Sequence, residues 1–178
     1  MRRAPATRSG GWGVQHRPPA IYFGFHKPSH LNVLIVGGGP SRRRTLAHEY
    51  HQSSPLSDRG LAMFDAAQGA DRLEGALLEW LGAATAAPGR TDPSGETPGT
   101  LFIDHVTALP PRLQSLLVTF AERLADLGPT GTRPARLVAA CDEDPWLAVE
   151  AGRFSAELCD CLDKIRVELN APRRRGAA

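Results

Sequence analysis

Apolar positions in this chain follow two periods, and the changes between them divide it into elements. Leu31–Val36 (LNVLIV) is a short β-branched run ending in Gly37-Gly38-Gly39-Pro40, the pattern of a buried strand entering a turn. Thr45 to Gln52 suits a helix, and Ser53-Ser54-Pro55 stops it. Leu61–Phe64 is a weaker strand candidate, and Leu73, Leu77, Leu78 and Leu81 share one face of a helix over Arg72–Leu81. Thr100–Asp104 (TLFID) is an apolar strand ending on an acid. Leu113, Leu116, Leu117, Phe120 and Leu124 then repeat at helical spacing behind Pro110 and Pro111, which suit a helix start. Ala135–Cys141 (ARLVAAC) predicts another strand, Phe154, Leu158 and Leu162 a short helix, and Lys164–Leu169 (KIRVEL) a last strand. Strands alternating with helices predict an α/β domain with a largely parallel sheet. Such sheets take ligands beyond the carboxyl ends of their strands, where Gly37 to Arg44 and Asp104 both fall.

The intervening segments lack a sustained period. Residues 1–30 read as a basic irregular leader, Gly128–Pro134 as a turn-rich connection and residues 171–178 as an Arg-rich tail. Gly82–Gly99, with seven Gly or Pro in eighteen residues, reads as a flexible linker inside a core of residues 31–170. A length of 178 residues, 42% hydrophobic and 22% charged, is that of one soluble globular domain. No run approaches the ~18 apolar residues of a membrane span, and no continuous apolar stretch marks a signal peptide. Three cysteines do not make a disulfide framework and point to a reducing cytoplasm. Charge is uneven: residues 1–48 hold eight basic groups and no acid, the rest thirteen basic and nineteen acidic. A basic arm suits a polyanion, but with only Lys27 and Lys164 as lysines among many Ala, Gly and Pro the excess reads as codon bias.

A Gly-rich turn between a strand and a helix presents backbone N–H groups to phosphate. A dinucleotide fingerprint, G-x-G-x-x-G, would put its third glycine at Arg42, where a side chain obstructs close packing and the pyrophosphate. A P-loop, G-x-x-x-x-G-K-[ST], would run from Gly37 to Arg44 with Arg42 for the last Gly and Arg43 for the Lys. The neighbouring blocks favour the second. LNVLIVGGGPSRRRTLAHEYHQSSP, LAMFDAAQ, GTLFIDHVTALPPRLQSLLVTFAERL and ARLVAACDEDPWLAVEAGRFSAELCDCLDKIRVEL occur in that order. They resemble the VLI-x-GESGTGKELVA, NCAAL, GTLFLDEI-x-ELP and RLIAATNRDLE…FREDLYYRL segments of the AAA+ domain in NtrC-like bacterial activators of sigma-54 RNA polymerase. The resemblance covers most of residues 31–169 and implies a P-loop NTPase-like parallel sheet flanked by helices.

It also implies ATP and Mg²⁺ as ligands, with Gly37, Gly38, Gly39, Ser41, Arg43, Arg44 and Asp104 as the residual nucleotide site and Asp104 as the Mg²⁺ ligand. The departures weaken that expectation. Arg43 replaces the phosphate-binding Lys with a planar fork, Arg42 crowds the loop, and Arg44 stands where P-loops place Ser or Thr and this family usually Glu. His105 takes the position of the water-polarising Glu, Asp142 that of the sensor Asn, and Ser155 and Cys161 those of the two arginine-finger candidates. No GAFTGA-like stretch appears in Gly82–Gly99, so direct sigma-54 contact is not expected. No helical lid, receiver domain or DNA-binding helix-turn-helix is expected either, nor any membrane contact.

The reading is therefore a degenerate sigma-54-activator-type AAA+ domain in the cytoplasm, not expected to hydrolyse ATP. It would act by protein contact with AAA+ activators of the same fold, in mixed or homo-oligomers. A divergent ATPase using Arg43 and His105 for Lys and Glu, or a decaying gene fragment, remain as alternatives. His48 and His51 lie three apart on a helix, but with no carboxylate or cysteine to complete a metal set with His105 they suit a surface or packing role. Cys159 and Cys161, two apart on a helix, point to different faces, and Cys141 reads as a buried strand residue.

Overall fold

The computed structural model describes residues 31–85, 98–126 and 136–169. Within them β1 (Val33–Gly37), β2 (Leu61–Asp65), β3 (Thr100–Asp104), β4 (Leu137–Cys141) and β5 (Ile165–Leu169) form one sheet. Its order is β2-β3-β4-β1-β5, and every pairing is parallel. Helices α1 (Pro40–Gln52), α2 (Ala70–Thr85), α3 (Pro111–Asp126), α4 (Pro145–Glu150) and α5 (Ala156–Leu162) connect the strands.

Both faces of the sheet are covered, which is why the central strands read as near-continuous apolar runs. On one face Leu34, Leu101, Ile103, Leu137 and Ala139 meet Leu73 and Leu77 of α2, Leu113, Leu117 and Phe120 of α3, and Leu158 of α5. On the other, Val33, Ile35, Phe102, Val138 and Val167 meet α1 through Ala47. Leucines supply the first layer, and their 3.6-residue spacing made α2 and α3 legible. The buried positions of α1 are Arg43, Ala47 and His51, four apart. Two of the three are polar, so an apolar-periodicity reading misses the start of this helix.

Several boundaries differ from expectation. Helix α1 begins at Pro40, five residues earlier than the pattern suggested, because extended Gly39 N-caps it and Pro40 supplies a preset φ in its first turn. Arg42, Arg43 and Arg44 therefore lie in the helix and not in the turn. Helix α2 continues to Thr85, so the first residues of the expected linker are helical. Helix α4 was missed: its six residues are too few to show a period, although the Asp144 carboxylate accepts from Trp146 N and caps it ahead of Pro145. The helix expected from Phe154 is N-capped by Ser155 and starts at Ala156. The leader at 1–30, linker residues 86–97, residues 128–134 of the connection and the tail at 171–178 lie outside the described residues.

Candidate functional site at the carboxyl ends of the strands

Parallel strands bring their carboxyl ends to one side of the sheet. Asp104 ends β3 and is 1% exposed; Asp65 ends β2 as its register partner. Asp142 follows β4, and Gly37 ends β1. Long side chains near a helix N-terminus lean back toward it, which carries Arg43 of α1 over these strand ends.

There the Arg43 guanidinium is enclosed. Its Nε donates to Asp104 Oδ1 at 2.7 Å, and its Nη1 to Gly38 O at 2.8 Å and Asp142 Oδ1 at 2.6 Å. Its Nη2 meets His105 Nε2 at 3.1 Å, which completes four contacts for a side chain with five N–H donors. Arg43 is 0% exposed, whereas the Asp142 side chain, at 61%, reaches in from the surface. Burial by itself lowers the Arg43 pKa, but the hydrogen bonds to Asp142 and Asp104 outweigh it and raise the guanidinium above its ordinary value.

His105 has φ 51, the only non-glycine residue with positive φ among the described residues. A left-handed turn of this kind costs about 1–3 kcal/mol and persists where its surroundings over-determine it. Here they do: His105 N donates to Asp104 Oδ1 at 3.0 Å, and Nδ1 lies 2.9 Å from Asp65 Oδ1. With Arg43 donating to Nε2, the ring proton sits on Nδ1 and is donated to Asp65. Burial pushes the Asp65 pKa up, but hydrogen bonds from His105 and Ala67 N outweigh it and hold the carboxyl below its ordinary value. Asp104 Oδ1 thus accepts two donors, while Asp104 Oδ2 is buried without a partner.

The structure gathers some of the expected site residues and disperses others. Arg43, Asp104, His105 and Asp142 meet, joined by the Gly38 carbonyl. Arg42, expected to crowd the loop, is exposed on α1, as is Ser41, whose carbonyl accepts from the Thr45 hydroxyl at 3.0 Å. Arg44 is half exposed and lies 4.0 Å from Asp65 Oδ2. Gly37 and Gly38 have φ +80 and +70, and both pack against Leu169 of β5. Gly39 O accepts from Arg42 N and Arg43 N at 3.0 and 3.1 Å. Ser155 Oγ accepts from Leu158 N as the cap of α5, and the Cys161 carbonyl accepts from Asn32 Nδ2. His51 meets Thr100 Oγ1 at 2.9 Å, at the opposite end of β3 from His105. The sequence reading missed Asp65, although its strand ends on an acid as TLFID does.

Residues 24–168 match the family described as the Sigma-54 interaction domain. The chain belongs to that family. It is 34% identical over 157 residues to the DNA-binding transcriptional activator HyfR of Escherichia coli, covering 83% of this chain and 23% of that protein. It is 30% identical over 158 residues to the DNA-binding transcriptional regulator NtrC of Klebsiella pneumoniae, covering 83% of this chain and 33% of that protein. The chain therefore spans no more than about a third of either relative. The fold matches the P-loop NTPase domain of an Escherichia coli sigma-54 activator with a TM-score of 0.55 at 19% identity, over 80% of this chain and 92% of that one. This is the AAA+ α/β architecture that the sequence blocks implied. Arg43, Asp104 and His105, which the sequence resemblance set against the P-loop lysine, the Walker B acid and the glutamate after it, are bound to one another. No described helix is long and apolar enough to cross a membrane.

Proposed function

We propose that this sigma-54-activator-type domain is a non-hydrolysing AAA+ module of transcription regulation, cytoplasmic, working by contact with AAA+ domains of the same fold in mixed or homo-oligomers. The observation that carries this is the buried Arg43 guanidinium, ligated by Gly38, Asp104, Asp142 and His105 where a P-loop enzyme handles phosphate and metal.

The residues do not fit a Mg²⁺–nucleotide. A P-loop cradles phosphate with free backbone N–H groups. Here Pro40 has none, and the Arg42 and Arg43 N–H groups are spent on Gly39 O. Mg²⁺ needs near-octahedral oxygen ligands, often one or two carboxylates, phosphates and waters. Asp104 Oδ2 is the one buried carboxylate oxygen left over among the described residues, a cation already sits 2.7 Å from its partner oxygen, and Arg44 offers a second cation where P-loops have a hydroxyl. Both ring nitrogens of His105 are committed, one to Arg43 and one to Asp65, so neither is left to take a proton from water.

Calorimetry with Mg·ATP and a phosphate-release assay on the purified chain test the reading. No binding at millimolar ATP and no turnover are expected; micromolar binding with steady phosphate release overturns it. Co-purification with an activator of the same fold tests the partner half of the proposal.

A further inference from the structure

Beside the ion cluster, on the α1 face of the sheet at its β2 edge, lies a cavity of about 390 Å³. Small-molecule sites span about 300–1,000 Å³. The cavity exists because α1 packs over β3 and leaves Met63 of edge strand β2 36% exposed. Met63 and Phe102 are register partners and stand side by side, giving the cavity a thioether and a deeply buried ring.

Two cations line the same cavity, Arg44 from α1 and Arg72 from α2. Arg72 makes no ion pair or hydrogen bond among the described residues. Arg44 has only Asp65 Oδ2 at 4.0 Å, and the other oxygen of Asp65 already accepts from His105 and from Ala67 N. The lining therefore carries two guanidinium groups and one carboxylate, that of Asp65, which other donors share, beside an apolar floor. Guanidinium forks match carboxylates in two parallel hydrogen bonds, and sulfur beside an aromatic ring is a favourable contact.

We propose that this cavity is a binding site for a small aromatic carboxylate, with the ring against Met63, which the buried Phe102 ring backs, and the carboxylate held by Arg44 and Arg72. The site adjoins the Arg43 cluster through Asp65 but uses none of the groups that bind Arg43, and it does not depend on whether the domain hydrolyses ATP. Nothing in the P-loop pattern announces it, since Arg72 lies in a different block and Arg44 serves there as a departure from the motif.

The test is titration of the full chain with 1-naphthoate, followed by amide NMR and calorimetry, beside 1-naphthamide (ring without charge) and acetate (charge without ring). Naphthoate is expected to bind more tightly than either control, with shifts centred on Arg44, Met63, Arg72 and Phe102. Arg72→Ala, at an exposed position with no partner among the described residues, is expected to keep the fold and weaken naphthoate about ten-fold or more, and Arg72→Lys to recover part of the loss. No binding at millimolar naphthoate, affinity no better than the amide or acetate, shifts centred elsewhere, or an unchanged Arg72→Ala variant each overturns the proposal.

Discussion

Arg43 and Asp104 form an ion pair with side chains 0% and 1% exposed. Buried charge is tolerated when each partner is matched, and removal of one leaves the other stranded at a cost of about 3–5 kcal/mol. Arg43→Ala is accordingly expected to lose about that much in denaturant unfolding. Asp142→Asn should lose no more than about 1 kcal/mol, because an exposed partner is screened by solvent. Similar losses in both variants would show that the cluster is not organised around the Asp104 pair. His51 is the other polar residue on the buried stripe of α1. Burial, with the nearby charge of Arg136, lowers its pKa from 6.5, so the folded state holds it neutral. Its contribution to stability is complete above that value and is lost as pH falls below it, since the unfolded chain then binds more protons. Melting temperatures from pH 7.5 to 5 should show the gap between the native chain and His51→Gln narrowing as pH falls.

The α1 boundary shows where element-level reading works and where it stops. Leucine spacing made α2 and α3 legible because their buried faces are apolar. Helix α1 hides an arginine and a histidine on its buried face, so its first turn read as a phosphate loop. The three glycines before it also divide by role. Gly37 has φ +80, and a Cβ there would lie 2.7 Å from Leu169 O on the neighbouring strand. Gly39 has φ −87 and open space around its Cβ position. Gly37→Ala is therefore expected to cost more than about 1–2 kcal/mol, the penalty of a left-handed residue alone, and Gly39→Ala clearly less. Equal denaturation midpoints for the two variants would refute this division. Burial also raises the Cys141 thiol to about 12 and the Cys159 thiol to about 11, which suits packing residues and not nucleophiles.

Across the whole molecule the sheet places the ends of β1, β3 and β4 and the first turns of α1 around one guanidinium. A ligand that binds only the folded state at a hundred times its Kd stabilises it by about 2.7 kcal/mol. A domain with micromolar affinity for nucleotide would thus melt several degrees higher in millimolar Mg·ATP, and this one is expected to melt unchanged. The order of the strands and of the longer helices, the apolar core and the family blocks were legible along the chain, because burial periodicity and turn residues are local properties. The α/β class and most of its elements followed from them. The partners of Arg43 were not, because Asp104, His105 and Asp142 lie 61, 62 and 99 positions away from it. The sequence records an arginine at position 43, where the resemblance puts the P-loop lysine, but only the parallel sheet determines that its charge is spent inside the protein. The pairing of His105 with Asp65, and the placing of Arg44, Arg72, Met63 and Phe102 around one cavity, likewise depend on strands and helices that come together only when the chain is folded.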